Sequence, residues 1–126
     1  MDDDRRDALL HQLLGPLHMH FRCARAAYAA YLNDGKRFLF ASSLRRLNLS
    51  ARGLLLERGH RLPEALQAEA AALIGHYDAW LTLWDAHAQA TRPGPEDEFA
   101  FENRFTYPKD AEAALEALYR ELSAGA

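Results

Sequence analysis

Residues 17–32, LHMHFRCARAAYAAYL, put two histidines and the chain's single cysteine within seven positions. That density raises metal or thiol chemistry, and helix geometry argues against both. His18 and His20 are two residues apart, so on a helix they diverge by about 200° and cannot close on one ion. His11 and His18 share a face but lie about 10 Å apart along it, too far for ligands whose bonds to zinc are about 2 Å. Cys23 sits off the apolar stripe with no histidine partner in sequence, and a catalytic thiol is not expected. Glu57-Arg58-Gly59-His60 has the Glu-x-x-His spacing of carboxylate-bridged di-iron bundles. Such sites need two of these motifs plus two further glutamates, and this chain has one. Glu69 and His76, one heptad apart, read as boundary residues of a helix. No metal and no cofactor are expected.

One further spacing bears on phosphate chemistry. Arg6-Asp7-Ala8-Leu9-Leu10-His11 places a histidine five positions after an arginine. It resembles the signature of HEPN-type helical ribonucleases, an arginine and a histidine separated by four to six residues. The resemblance covers six residues and implies a pair, Arg6 and His11, acting on RNA phosphate.

The elements that would position these groups are helices. From about Asp4 to Leu32, Leu10, Leu14, Leu17, Phe21, Ala24, Tyr28 and Tyr31 recur at four- and three-residue steps, lining one helical face. Gly15-Pro16 interrupts this without loss of phase, so a kink or break is expected there. Asn33-Asp34-Gly35 ends the segment. A second helix spans about Lys36 to Arg58, with Gly59 expected as a left-handed cap. Its main stripe is Phe40, Leu44, Leu47, Ala51 and Leu54, and Phe38, Leu39, Leu49 and Leu56 project from another side. Only Arg37, Arg45, Asn48 and Arg52 read as a solvated strip. A third helix runs from Pro63 to about Ala90 on Leu66, Ala70, Leu73, Tyr77, Trp80 or Leu81, Trp84 and Ala88, with small residues opposite. Residues 91–107, TRPGPEDEFAFENRFTY, form the longest irregular stretch, with Phe99, Phe101, Phe105 and Tyr107 alternating. A loop so long and aromatic is expected to be a lid or an interface. The last helix starts at Pro108 and turns Ala111, Ala114, Leu115, Leu118 and Leu122 inward.

The fold class is therefore all-α: one domain, residues 1–126, an antiparallel bundle of four main helices with the first kinked or broken at Gly15-Pro16. Hydrophobic residues at 49% and charged residues at 26% suit a globular chain. No apolar run approaches the roughly 20 residues that span a bilayer. MDDDRRD has no apolar stretch after it to make a secretory signal, and one cysteine gives no internal disulfide. A cytoplasmic location is the expectation.

Charge is polarised along the chain. Residues 1–61 carry 11 basic and 6 acidic side chains, net +5, and residues 62–126 carry 4 and 12, net −8. The basic half either binds nucleic acid or an acidic partner, through Arg37, Arg45 and Arg52, or pairs with the acidic half. The favoured function is a non-enzymatic interaction module, a small subunit or adaptor that self-associates or binds another protein. Its expected surface is Phe38, Leu49, Leu56, Phe99, Phe101, Phe105 and Tyr107. The alternative is a nucleic-acid-binding helical protein using the arginine strip, as a HEPN-like ribonuclease through Arg6 and His11. A third reading, a small apolar ligand held between helices under the aromatic loop, has only that loop to motivate it.

Overall fold

The computed structural model describes residues 1–125 and is all-helical, with four rods packed antiparallel. The first rod comprises α1 (Asp3–Leu9), a π turn (Leu10–Leu14) and α2 (Gly15–Asn33). It is followed by α3 (Phe38–Arg58), a short 3-10 turn (Gly59–Arg61), α4 (Glu64–Thr91) and α5 (Lys109–Ala124). The acidic start has a local explanation. Asp2 caps α1 by accepting from the Arg5 amide at 2.8 Å, and Asp3 and Asp4 occupy the first turn, where negative charge meets the positive end of the helix dipole.

The first rod is interrupted at Gly15-Pro16 as expected, and the interruption takes the form of a π turn that absorbs the proline without ending the rod. Pro16 has no amide hydrogen to give the carbonyl four residues back, which is that of Gln12. The Arg58 guanidinium donates to that oxygen instead, at 2.7 Å. The Gly15 amide reaches back five residues to the Leu10 carbonyl. A Cβ at Gly15 would sit 2.8 Å from that oxygen. Gly→Ala inside a helix ordinarily gains about 1 kcal/mol; here forced backbone movement outweighs it. Gly15→Ala is expected to lower stability by about 1–2 kcal/mol in chemical denaturation. A gain would show that the π turn gives way to regular α-helix.

The wide turn lets Leu9, Leu10, Leu13 and Leu14 share the buried side with Leu17 and Phe21. All but Leu10 meet Ala51 and Leu55 of α3, Ala70, Leu73, Tyr77 and Leu81 of α4, and Ala111 and Leu115 of α5. Gly59 is not a left-handed cap: its φ is −61°. It is buried, and a Cβ there would meet Ala70 at an ordinary contact distance of 3.8 Å, so neither backbone conformation nor space requires glycine at this position. The buried set of α3 is Ala41, Leu44, Ala51 and Leu55, one residue out of phase with the sequence-based stripe at its C-terminal end. No helix among the described residues is long and apolar enough to cross a membrane.

The fourth position of the bundle is filled by two different structures. Along the lower half of α4 it is α5. Along the upper half it is residues 92–108, an irregular strap. Pro93 and Pro95 keep one end non-helical and Pro108 the other. The strap docks on the α2–α3 turn, where Gly35 has a φ of 74°. The Phe38 amide donates to Asp97 O at 2.8 Å, Leu39 to Pro95 O at 3.0 Å, and Phe99 to Lys36 O at 2.8 Å. The Tyr31 hydroxyl donates to Phe99 O, and Arg37 grips Glu96 at 2.6 Å.

Candidate functional site

An extended chain is much narrower than a helix, whose diameter with side chains is about 10 Å. Replacing half of the fourth rod by a strap therefore leaves space. Phe99 stands beside Trp84 and His87, Phe101 beside Trp80, and Tyr107 beside His76. The strap thus descends α4 from His87 to His76, about 16 Å at 1.5 Å per residue. Behind it, bounded by α2, α3 and α4, lies a cavity of about 830 Å³. That is within the range of small-molecule pockets, about 300–1,000 Å³.

Each wall follows from a helical stripe. The α1–α2 stripe is core in its lower half, but higher up Ala24, Tyr28 and Tyr31 face the cavity. On α4 the same division falls at Tyr77, beyond which Trp80 and Trp84 form the wall. Both tryptophans of the chain are therefore cavity residues. Trp84 is fixed on three sides: its indole N–H donates to Ala41 O at 3.2 Å, the Arg45 guanidinium covers one face, and Phe99 packs 4.9 Å away.

Polar groups gather near the start of α5. Glu112 accepts from Arg25 at 2.8 Å and from the Tyr107 hydroxyl at 2.7 Å, tying α2, the strap and α5 together. Burial pushes the Tyr107 phenol well above its ordinary range, and burial likewise pushes Tyr77 up to about 12. Both hydroxyls stay protonated near neutrality and can donate. His76 lines the cavity with Nδ1 buried and unpartnered, and burial lowers its pKa. Asn48 was missed by sequence reasoning as a site residue. It occupies the register of α3 between the buried Leu44 and Ala51 and lines the cavity. No local signal marks it, because apolar residues on nearly every side of α3 hide which register faces inward.

Burial also lowers the pKa of His20. Both histidines take up protons in the unfolded chain below about pH 6.5 and resist them when folded. The unfolded state therefore binds more protons as pH falls, and this contribution to stability declines from about pH 6.5 downward. The drop in melting temperature between about pH 7.5 and about pH 5.5 is expected to shrink in His76→Gln. An unchanged drop would show that His76 is solvated in solution.

The residues nominated as one interaction surface are dispersed. Phe99 is 1% exposed and belongs to the interior with Ala41 and Trp84, a correction to reading it as surface. It turns inward because the strap is pinned on both sides of it. Phe38 and Phe101 pack on that same cluster, and Tyr107 on the main core. Leu49, Leu56 and Phe105 remain exposed.

The arginine strip is likewise not free. Arg45 pairs with Asp85 at 2.8 Å, Arg52 with Asp78, and Arg37 with Asp34 and Glu96. Apart from Arg37–Asp34, each pair joins the basic half of the chain to the acidic half, as do Arg25–Glu112 and His18–Glu116. Arg6 donates to Gly125 O and flanks Asp3 and Asp7, whereas His11 is exposed on the π turn. His18 and His20 diverge, to Glu116 and Ser50 respectively, and Cys23 is exposed. Among the described residues no three of His, Cys, Asp and Glu converge as a metal-binding set. No family model, curated protein or solved structure matches this chain.

Proposed function

We propose that this protein is a non-enzymatic binding module that holds a small, largely apolar molecule between its helices and the aromatic strap. The observation that carries this reading is the cavity itself. It is about 830 Å³, aromatic on the α2, α4 and strap sides, and has a few polar groups, Asn48, His76 and Tyr107, converging from different elements. An apolar body buried there gains about 25 cal/mol per Å² of surface removed from water, while the polar groups orient it.

The test is titration with the neutral fluorophore N-phenylnaphthylamine. Saturable fluorescence at one dye per chain is expected, weakened at least about tenfold in Ala24→Phe/Asn48→Phe, which narrows the cavity from α2 and α3. Binding that ignores the double variant in a folded protein would remove the cavity from the account.

A second reading, self-association, is favoured by Leu49 and Leu56. They lie one heptad apart on α3 and are 38% and 52% exposed, so two copies could bury the row against itself. Leu49→Asp is then expected to shift the species seen by sedimentation from dimer to folded monomer. An identical sedimentation profile before and after the substitution would discard that interface.

A further inference from the structure

Resting on the cavity reading above, we propose that the occupant is an organic anion, with a flat apolar body between the tryptophan wall and the strap and its acidic group met by one of the lysines that stand at the two ends of the cavity. The chain has only two lysines, Lys36 and Lys109, against 13 arginines, and both line this cavity. Arg25, Arg37, Arg45 and Arg52 each have a carboxylate within 4.0 Å. Among the described residues neither lysine has one. The one ion pair within the lining, Arg25 with Glu112, is internally neutralised, and the Tyr107 hydroxyl takes up the other Glu112 oxygen. The site therefore carries two lysines outside any close ion pair among the described residues, in a molecule whose net charge is −3.

Charge of that sign is not spread over the neighbourhood. The strap and α5 belong to the acidic half of the sequence, and Lys109 stands at their junction beside Asp110 and one turn from Glu112. Those carboxylates reduce the pull of Lys109, whereas a lysine at the edge of a low-dielectric cleft otherwise favours an anionic visitor, because apolar walls concentrate its field. Inside, the uncharged donors and acceptors of Asn48, His76 and Tyr107 suit the polar substituents of a ring system. None of them supplies the negative charge that an organic cation would need. Glu112, the one carboxylate in the lining, is already held by two partners.

Two dyes with one skeleton test this. Anilinonaphthalene sulfonate and N-phenylnaphthylamine share the aromatic body and differ in the sulfonate. Lys36→Gln/Lys109→Gln alters two exposed side chains, so the fold is retained and circular dichroism checks it. The double variant is expected to weaken the sulfonate dye about tenfold, equivalent to about 1.4 kcal/mol, and to leave the neutral dye within about twofold. Raising salt from about 20 to about 300 mM should weaken the sulfonate dye alone, as screening of an exposed cation requires. If both dyes bind the variant as they bind the parent, the anionic assignment is overturned and the cavity reading stands. Equal weakening of both also overturns it, since the lysines would then shape the site rather than charge it. If the parent binds neither dye, the cavity reading fails and the assignment with it.

Discussion

Replacing Phe99 with alanine is expected to cost about 3–4 kcal/mol of stability and to abolish binding in the cavity, although Phe99 sits outside any helix. Its ring is 1% exposed and touches Phe38 at 5.2 Å, Trp84 at 4.9 Å and His87 at 4.9 Å between centroids. Loss of a buried phenylalanine removes both its transfer free energy and its packing partners, and the cavity left behind is only partly refilled. The Phe99 amide's donation to Lys36 O and the Tyr31 hydroxyl's donation to Phe99 O do not depend on the Phe99 side chain, so the strap loosens before it detaches. Denaturant titration measures the loss. A cost below about 1 kcal/mol would mean that the ring is not buried in solution and that the strap does not form the cavity wall.

The second large effect is at Leu13. This residue is 0% exposed, on the π turn, within the cluster shared by α3, α4 and α5. Leu13→Ala is expected to cost about 3–4 kcal/mol. Tyr28→Ala, at a position the sequence stripe places inward, is expected to cost no more than about 0.5 kcal/mol. Tyr28 is 51% exposed and borders the cavity rather than the core, so its loss should register in dye affinity instead. Comparable costs at the two sites would contradict the division of the first rod into a core half and a cavity half.

That contrast shows what was legible in the sequence. Regular recurrence of leucine and aromatic residues announced the four rods, and proline and glycine marked their ends, because those signals are local. The phase of α3 was not legible. Apolar residues occupy nearly every sector of it, from Phe38, Leu39 and Phe40 through Leu54, Leu55 and Leu56. Periodicity therefore could not say that Asn48 faces inward. At Gly15-Pro16 the sequence predicted disruption, but the repair depends on Arg58, distant in sequence, reaching the Gln12 carbonyl.

That the aromatic segment before the last helix is irregular was legible. Which of its four rings turns inward depends on contacts with Phe38 and Trp84 that no local pattern encodes. The charge split was plain from composition. Its resolution into Arg25–Glu112, Arg45–Asp85 and Arg52–Asp78 required knowing which helices are neighbours. With partners in place, each exposed pair contributes at most about 1 kcal/mol, and the arginines are occupied rather than displayed.

A ligand held between the tryptophan wall and the strap would lie against both indoles. Two-dimensional nitrogen–proton NMR on labelled protein tests that placement most directly, because the chain's two indole N–H signals belong to Trp80 and Trp84, and both line the cavity. Titration with N-phenylnaphthylamine should move both indole signals and the Asn48 side-chain amide together, saturating at one dye per chain, while amides near Leu56 stay fixed. Stationary indole signals alongside shifts at Leu49 and Leu56 would place the dye on the outer face of α3 and contradict the account.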